Sequence, residues 1–220
     1  MVYLFDELEA ITESDYAAAY ELLFEERKKK TARYRFEQDR LLSTFAYVLL
    51  LYGLKSEGLL SERKPQFDYH PYGKPYFLSE ALSNVFFNFS HCSEGIVCGI
   101  SDEEIGVDIE GYVQDIRKIE DLVLHPHERH LFDNAKDASG LFTQIWTIKE
   151  SYTKMKGCGL TMEITELDFS DFIDRREYGD GSLLTQRFDR YVVSAFGRNK
   201  TACGIKRVSA GELKELIKQL

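Results

Sequence analysis

Four short stretches hold residue types that could work on a phosphate-bearing substrate. The first is IGVDIE, Ile105 to Glu110. On a strand, Ile105, Val107 and Ile109 face one way, and Gly106, Asp108 and Glu110 the other. Carboxylates two positions apart sit roughly 6.6 Å apart along a strand. That spacing lets both reach one hard cation such as Mg²⁺, which takes one or two carboxylates plus water and substrate phosphate. An amphipathic edge strand with its acids in water would carry the same pattern. The second stretch is WTIKESYTKMKGCGL, Trp146 to Leu160. At 3.6 residues per turn, Leu141, Ile145, Ile148, Tyr152 and Met155 form an apolar stripe, while Trp146, Glu150 and Lys154 line up on another side. Glu150 ahead of Lys154 is an ordinary i, i+4 pair worth about 0.2–0.5 kcal/mol, and glycine at a helix end is ordinary capping. Neither explains why the chain's only tryptophan stands off the core face.

The third stretch, NFSHCSE, ends a strand pattern in Ser90 and His91, a hydroxyl and an imidazole able to meet a phosphate. It has no third partner for a hydrolytic triad and no G-x-S-x-G elbow. A structural or exposed histidine accounts for it equally. The fourth, YGKPYF, holds Lys74 on a stiff Gly-Lys-Pro turn, where a fixed ammonium suits a phosphate. Turn chemistry alone also explains that glycine and proline. A fifth feature is ERKKKTARYRFEQDR, Glu26 to Arg40, with seven basic residues including Arg27 and Lys30. A solvated helix face and an anion site both fit it. Taken together, three carboxylates, several lysines, a Ser-His and a Gly-Lys-Pro compose a site for a polyphosphate and a divalent metal.

The positioning elements read as follows. VYLFDEL is a strand. Helices are expected over Ser14 to Lys30, capped by Ser14, and over Gln38 to Leu54. The proline-bearing segment SERKPQFDYHPYGKPYFLSEAL reads as a loop. NVFFNFS, GIVCGI and IGVDIE are strands by alternation. Helices follow near Gln114 to Val123, Pro126 to Asn134 and Ala138 to Lys156. Strands come next near Glu166 to Asp171, Arg190 to Phe196 and Thr201 to Val208. A last helix starts with the capping box Ser209-x-x-Glu212. Helix-then-strand order occurs twice. The expectation is an α+β fold of two similar halves, residues 1–103 and 104–220, each with helices on a small, mainly antiparallel sheet and a ligand cleft between them.

Composition narrows the class. The chain has 220 residues and a formal net charge of −9, against general nucleic-acid binding. Its longest apolar block, FAYVLLLYGL, is too short to span a membrane and is not N-terminal, so neither a membrane association nor a signal peptide is expected and the default location is cytoplasmic. Cys92, Cys98, Cys158 and Cys203 have neither zinc spacing nor the look of a disulfide framework.

The order G-K-P, N-x-S-H, G-V-D-I-E and W-x-x-K-E-S-x-x-K-x-x-G-x-G-L resembles the 4′-phosphopantetheinyl transferases, and by length and two-part outline their larger, pseudo-dimeric surfactin-type group. The motifs run from Gly73 to Leu160. The resemblance implies a pseudo-twofold pair of halves in a monomer. It also implies transfer of 4′-phosphopantetheine from coenzyme A to a serine of an apo acyl or peptidyl carrier protein, with release of adenosine 3′,5′-bisphosphate. Asp108, Glu110 and Glu150 match the family's Mg²⁺ ligands, with Mn²⁺ as a substitute. Glu150, Lys154 and Glu128 match catalytic positions, Lys154 on the phosphates, with the base left open between Glu150, Glu128 and a water. Arg27, Lys30, Ser43, Lys74, Ser90, His91, Asp108, Lys149 and Lys154 match coenzyme A contacts. This shifts the basic segment towards an anion site. One departure is Cys92, where the family often has serine; a thiol is the weaker hydrogen-bond donor. Two other readings stay open: a metal-dependent nucleotide pyrophosphohydrolase, and a coenzyme A-binding protein without catalysis. Because chain and carrier would both be acidic, docking is expected on a local patch in Gly111 to Glu128, where Arg117 and Lys118 sit among apolar residues.

Overall fold

Strand β1 (Val2–Phe5) is buried on both faces, and that sets the architecture. Tyr3 and Phe5 point to one cluster and Val2 and Leu4 to another. A computed structural model describes the chain except residues 61–63, 160–162, 174–176, 179–180 and 199–203. Its helices are α1 (Glu13–Leu22), α2 (Glu25–Ala32), α3 (Glu37–Ser56), α4 (Pro126–Asp133), α5 (Ala138–Lys156) and α6 (Ala210–Gln219). The remaining strands are β2 (Phe67–Tyr69), β3 (Pro75–Phe77), β4 (Phe86–Cys92), β5 (Gly95–Ser101), β6 (Ile105–Gly111), β7 (Glu177–Tyr178), β8 (Gly181–Arg187), β9 (Tyr191–Arg198) and β10 (Ile205–Arg207). The fold is α+β.

One sheet has the order β10-β1-β5-β4 and the other β6-β9-β8-β7; all their pairings are antiparallel except β1 with β10. The sheets pack through Val2, Leu4 and Val97 of the first and Ile105, Val107, Ile109, Val193 and Ala195 of the second. Helix α3 covers the far face of the first sheet, burying Phe45, Val48 and Leu49 with Tyr3 and Phe5. On the second sheet, Ile148 and Met155 of α5 pack with Leu183 and Phe196. The result is a helix–sheet–sheet–helix stack. At its seam the edge strands β4 and β6 meet, and Asn88 Oδ1 accepts a 3.3 Å bond from the Val107 N–H.

Several expectations need correction. The helix over Ser14 to Lys30 is two helices that break at Leu23 and Phe24, whose side chains are both buried. Its cap is Thr12, not Ser14: Thr12 forms a capping box with Asp15, and Ser14 only touches the Thr12 hydroxyl. Gln114 to Val123 makes two 3₁₀ turns, and Glu166 to Asp171 is no strand but adjoins two more. The proline-bearing loop contains the hairpin β2–β3, with Tyr69 opposite Pro75. Strand β8 has no counterpart in the sequence reading. The division at residue 103 separates most of the two sheets, yet β10 and α6 return to the first: β10 pairs with β1, and Leu213 and Leu216 join the α3 cluster. Leu160 and Cys203 lie outside the described residues. Cys92, Cys98 and Cys158 are free thiols.

Candidate active site

Gly106 lets α5 lie directly on β6. A Cβ there would fall 2.0 Å from the Ser151 carbonyl oxygen and 2.3 Å from the Met155 nitrogen. This close approach brings the next two side chains on that strand face, Asp108 and Glu110, against the side of α5 that carries Trp146, Glu150 and Lys154. Asp108 is buried. Its Oδ1 accepts from Lys154 Nζ at 2.6 Å and from Ser90 Oγ at 2.8 Å, and Lys154 Nζ also donates to Ser90 Oγ at 3.0 Å. The other oxygen, Oδ2, is buried with no hydrogen-bond partner.

The electrostatics record crowded negative charge. Burial first, then Asp108, pushes the Glu110 carboxyl up to about 7, with Glu150 adding to the push and Lys154 and a bond from the Trp146 side chain opposing it. The Glu150 carboxyl is also raised, chiefly by burial, with Lys154 lowering it and Asp108 raising it. Trp146 thus stands beside Glu110 and also packs against the cluster of Ile116, Phe132 and Phe142. A cation resting against these acids would relieve the repulsion, and Asp108 Oδ2 is a lone pair waiting for one. The acid set therefore fits a hard divalent ion. Among the described residues, though, only His125, His127 and Asp168 form a group of three whose ligand atoms already lie within 4.8 Å of one another. Closing Asp108, Glu110 and Glu150 on one ion requires the longer glutamate side chains to rotate inward.

The Gly-x-Gly at the end of α5 has a specific use. Gly157 caps the helix at φ +68°, and a Cβ there would meet Lys74 Cδ at 2.9 Å. Gly159, at φ +59°, lies against Tyr72. The Tyr72–Lys74 turn thus seats on the helix end, and Lys74 Nζ donates to the Met155 carbonyl at 2.6 Å and to Glu104 at 3.0 Å. A cavity of about 200 Å³ opens between turn and helix, lined by residues that include Lys74, Asn88, Glu150 and Lys154. A larger cavity, about 780 Å³, lies beside Gln144 and Arg187 and holds none of these acids. Of the charged groups named above, Lys74, Glu150 and Lys154 line the smaller cavity, while Asp108 and Glu110 do not.

The basic segment reaches the site through His91. Burial, then the charges of Arg27 and Lys154, hold its imidazole below the ordinary histidine value and hence neutral. Arg27 is buried, donating to Tyr69 Oη at 2.9 Å and the Ser43 carbonyl at 2.8 Å, with its guanidinium 5.2 Å from the Phe89 ring centre. Lys30 Nζ sits 3.9 Å from the centre of the Tyr69 ring. Ser43 is buried, its hydroxyl bonded to that of Thr31 at 3.0 Å.

Two expected site residues are elsewhere. Lys149 and Glu128 are both fully buried and form a 2.6 Å ion pair. Lys149 Nζ also donates to the carbonyls of Val123 and Ile164, while Glu128 accepts from the backbone N–H of His125 and of Phe169. The side-chain polar atoms of both are taken up inside the protein, so as placed neither Glu128 nor Lys149 faces the acid site. The pair ties α5, one residue before Glu150, to the start of α4. Sequence reasoning missed Asn88 as the strap between the sheets and Glu104 as the Lys74 partner; the motif N-x-S-H contained the first of these.

The family model described as "4'-phosphopantetheinyl transferase superfamily" matches residues 104–202. The chain is 31% identical over 133 residues to the 4′-phosphopantetheinyl transferase gsp of Aneurinibacillus migulanus, covering 60% of this chain and 50% of that protein. It is 25% identical over 141 residues to the 4′-phosphopantetheinyl transferase Sfp of Bacillus subtilis, covering 63% and 62%. It is 28% identical over 145 residues to the L-aminoadipate-semialdehyde dehydrogenase-phosphopantetheinyl transferase of Saccharomyces cerevisiae, covering 60% and 52%. By these matches the chain is similar to 4′-phosphopantetheinyl transferases, and it spans half to three-fifths of those relatives' lengths. No described helix is long and apolar enough to cross a membrane.

Proposed function

We propose that this chain transfers the 4′-phosphopantetheine group of coenzyme A to a serine hydroxyl of an apo acyl or peptidyl carrier protein and releases adenosine 3′,5′-bisphosphate. The observation that carries the reading is the buried, partnerless Asp108 Oδ2 flanked by Glu110 and Glu150, with Lys154 beside them. Asp108, Glu110 and Glu150 would hold Mg²⁺, which supplies charge neutralisation and a template at the pyrophosphate. Lys154 swings from Asp108 towards the bridging phosphate oxygen and meets the charge left there. Glu150, directly or through a water, takes the hydrogen of the carrier serine as its oxygen attacks the β-phosphorus and the bond to the α-phosphate oxygen breaks. Lys74, Ser90, neutral His91, Arg27 and Lys30 would hold the phosphates and nucleotide, Lys74 and Arg27 by exchanging the protein partners they now have. The two sheets, each covered by a long helix, support the reading as two pseudo-twofold halves with the ligand between them.

Carrier docking on Gly111 to Glu128 is part of the proposal. Leu122 is 70% exposed there, but Arg117 already pairs with Glu120 and Lys118 with Asp115. Docking would exchange those pairs for carrier acids. If Arg117→Glu with Lys118→Glu left the carrier KM unchanged, that surface would be wrong.

The deciding experiment incubates the protein with coenzyme A, Mg²⁺ and a panel of apo carriers and weighs each carrier. A gain of one phosphopantetheine supports transfer, and Glu150→Gln should abolish it in a folded protein. Coenzyme A cleavage without carrier would instead identify a pyrophosphohydrolase. Binding without turnover would leave a coenzyme A-binding protein.

A further inference from the structure

A second group of ligating side chains lies outside the acid site. His125 and His127 flank Pro126 at the start of α4, and Asp168 comes from the segment between two 3₁₀ turns. Asp168 Oδ1 is held by the Ser170 N–H at 2.9 Å, which leaves Oδ2 facing both imidazoles. Oδ2 lies 2.7 Å from His127 Nδ1 and 3.5 Å from His125 Nδ1. The ligand atoms of all three residues lie within 4.8 Å of one another.

His125 Nδ1 lies 3.3 Å from the His127 backbone nitrogen and 3.5 Å from Asp168 Oδ2. Two atoms bound to one tetrahedral metal at about 2.1 Å lie about 3.4 Å apart, so this contact already has the spacing of a shared ion. His127 Nδ1 is closer than that, in a 2.7 Å hydrogen bond with Asp168 Oδ2, and its 72% exposed side chain would have to turn outward to share an ion. Two imidazoles and a carboxylate suit a borderline divalent ion such as Zn²⁺ or Co²⁺ and are a poor match for Mg²⁺.

We propose that His125, His127 and Asp168 form a transition-metal site, separate from the acid site, that clips the Asp168 segment onto α4. The segment is already anchored one residue on, where the Phe169 N–H meets Glu128. A bound ion would add a second tie to the same place, next to the carbonyl of Ile164 that holds Lys149. The inference does not depend on the proposed transferase reaction.

The test titrates the full chain with Co²⁺ in excess Mg²⁺, which occupies hard carboxylate sites, and reads visible absorbance and calorimetric stoichiometry. One equivalent is expected, with nitrogen and oxygen ligation, and Zn²⁺ should raise the melting temperature. His127→Ala removes an exposed side chain and should keep the fold. It should weaken Co²⁺ binding at least about tenfold and abolish the Zn²⁺-dependent rise in melting temperature. Asp168→Asn should do the same, and Glu110→Gln should leave binding intact. The proposal is overturned if wild type binds no Co²⁺ under these conditions, if His127→Ala binds it equally well, or if sulfur-to-cobalt charge transfer reveals cysteine ligation.

Discussion

Replacing Glu110 by glutamine tests the crowding of charge directly. In the folded chain, burial and the adjacent Asp108 lift this carboxyl to about 7; in the unfolded chain it titrates near 4.3. Between those values the folded state keeps a proton that the unfolded state has released. Stability therefore falls as pH rises from about 4.5 to 7 and then levels off. The full loss would be about 4 kcal/mol, and solvent contact at this half-buried side chain reduces it to about 1–2 kcal/mol. Glutamine has nothing to titrate. Urea melts at pH 5 and pH 8, in chelator, should show the variant gaining about 1–2 kcal/mol on wild type as pH rises. Adding Mg²⁺ at pH 8 should raise wild type more than the variant. A gap that stays constant with pH to within about 0.3 kcal/mol, or that narrows, would refute the argument that Glu110 is held in a repulsive, cation-seeking environment.

Other outcomes follow from the same geometry. Lys149→Met strands the fully buried Glu128 charge and should cost about 3–5 kcal/mol in urea unfolding, while Lys149→Met combined with Glu128→Leu should recover much of that loss. Gly106→Ala forces a Cβ into the α5 backbone and should destabilise by about 3 kcal/mol, with any transferase activity falling further as Glu150 moves away from Asp108. Asn88→Ala leaves the buried Val107 N–H without its acceptor and should cost about 1–3 kcal/mol by the same assay.

Much of the site was legible along the chain because it follows from periodicity. Alternation alone assigned Gly106, Asp108 and Glu110 to one face of β6, and helical spacing separated Trp146, Glu150 and Lys154 from the apolar stripe of α5. The ends of α5 and the cap of α6 were equally readable, since capping is local chemistry. Less visible were segments whose shape depends on distant partners. Gln114 to Val123 carries a helical composition yet turns as 3₁₀, with the Val123 carbonyl bonded to Lys149 far along the chain. Ser14 and Thr12 are both competent caps, and Thr12 serves because it stands three residues before Asp15, the spacing of a capping box.

What the amino-acid order determined by itself, then, was which side chains share a strand face or a helix side. Which faces meet was decided only in three dimensions. Lys149 and Glu150 are neighbours in sequence, but one helical step of about 100° sends the first into the interior to pair with Glu128 and leaves the second beside Asp108. No local pattern distinguishes those fates, because they depend on what α4 and β6 place on either side of α5. The same holds for Asp168 and the two histidines, which tertiary packing alone brings together.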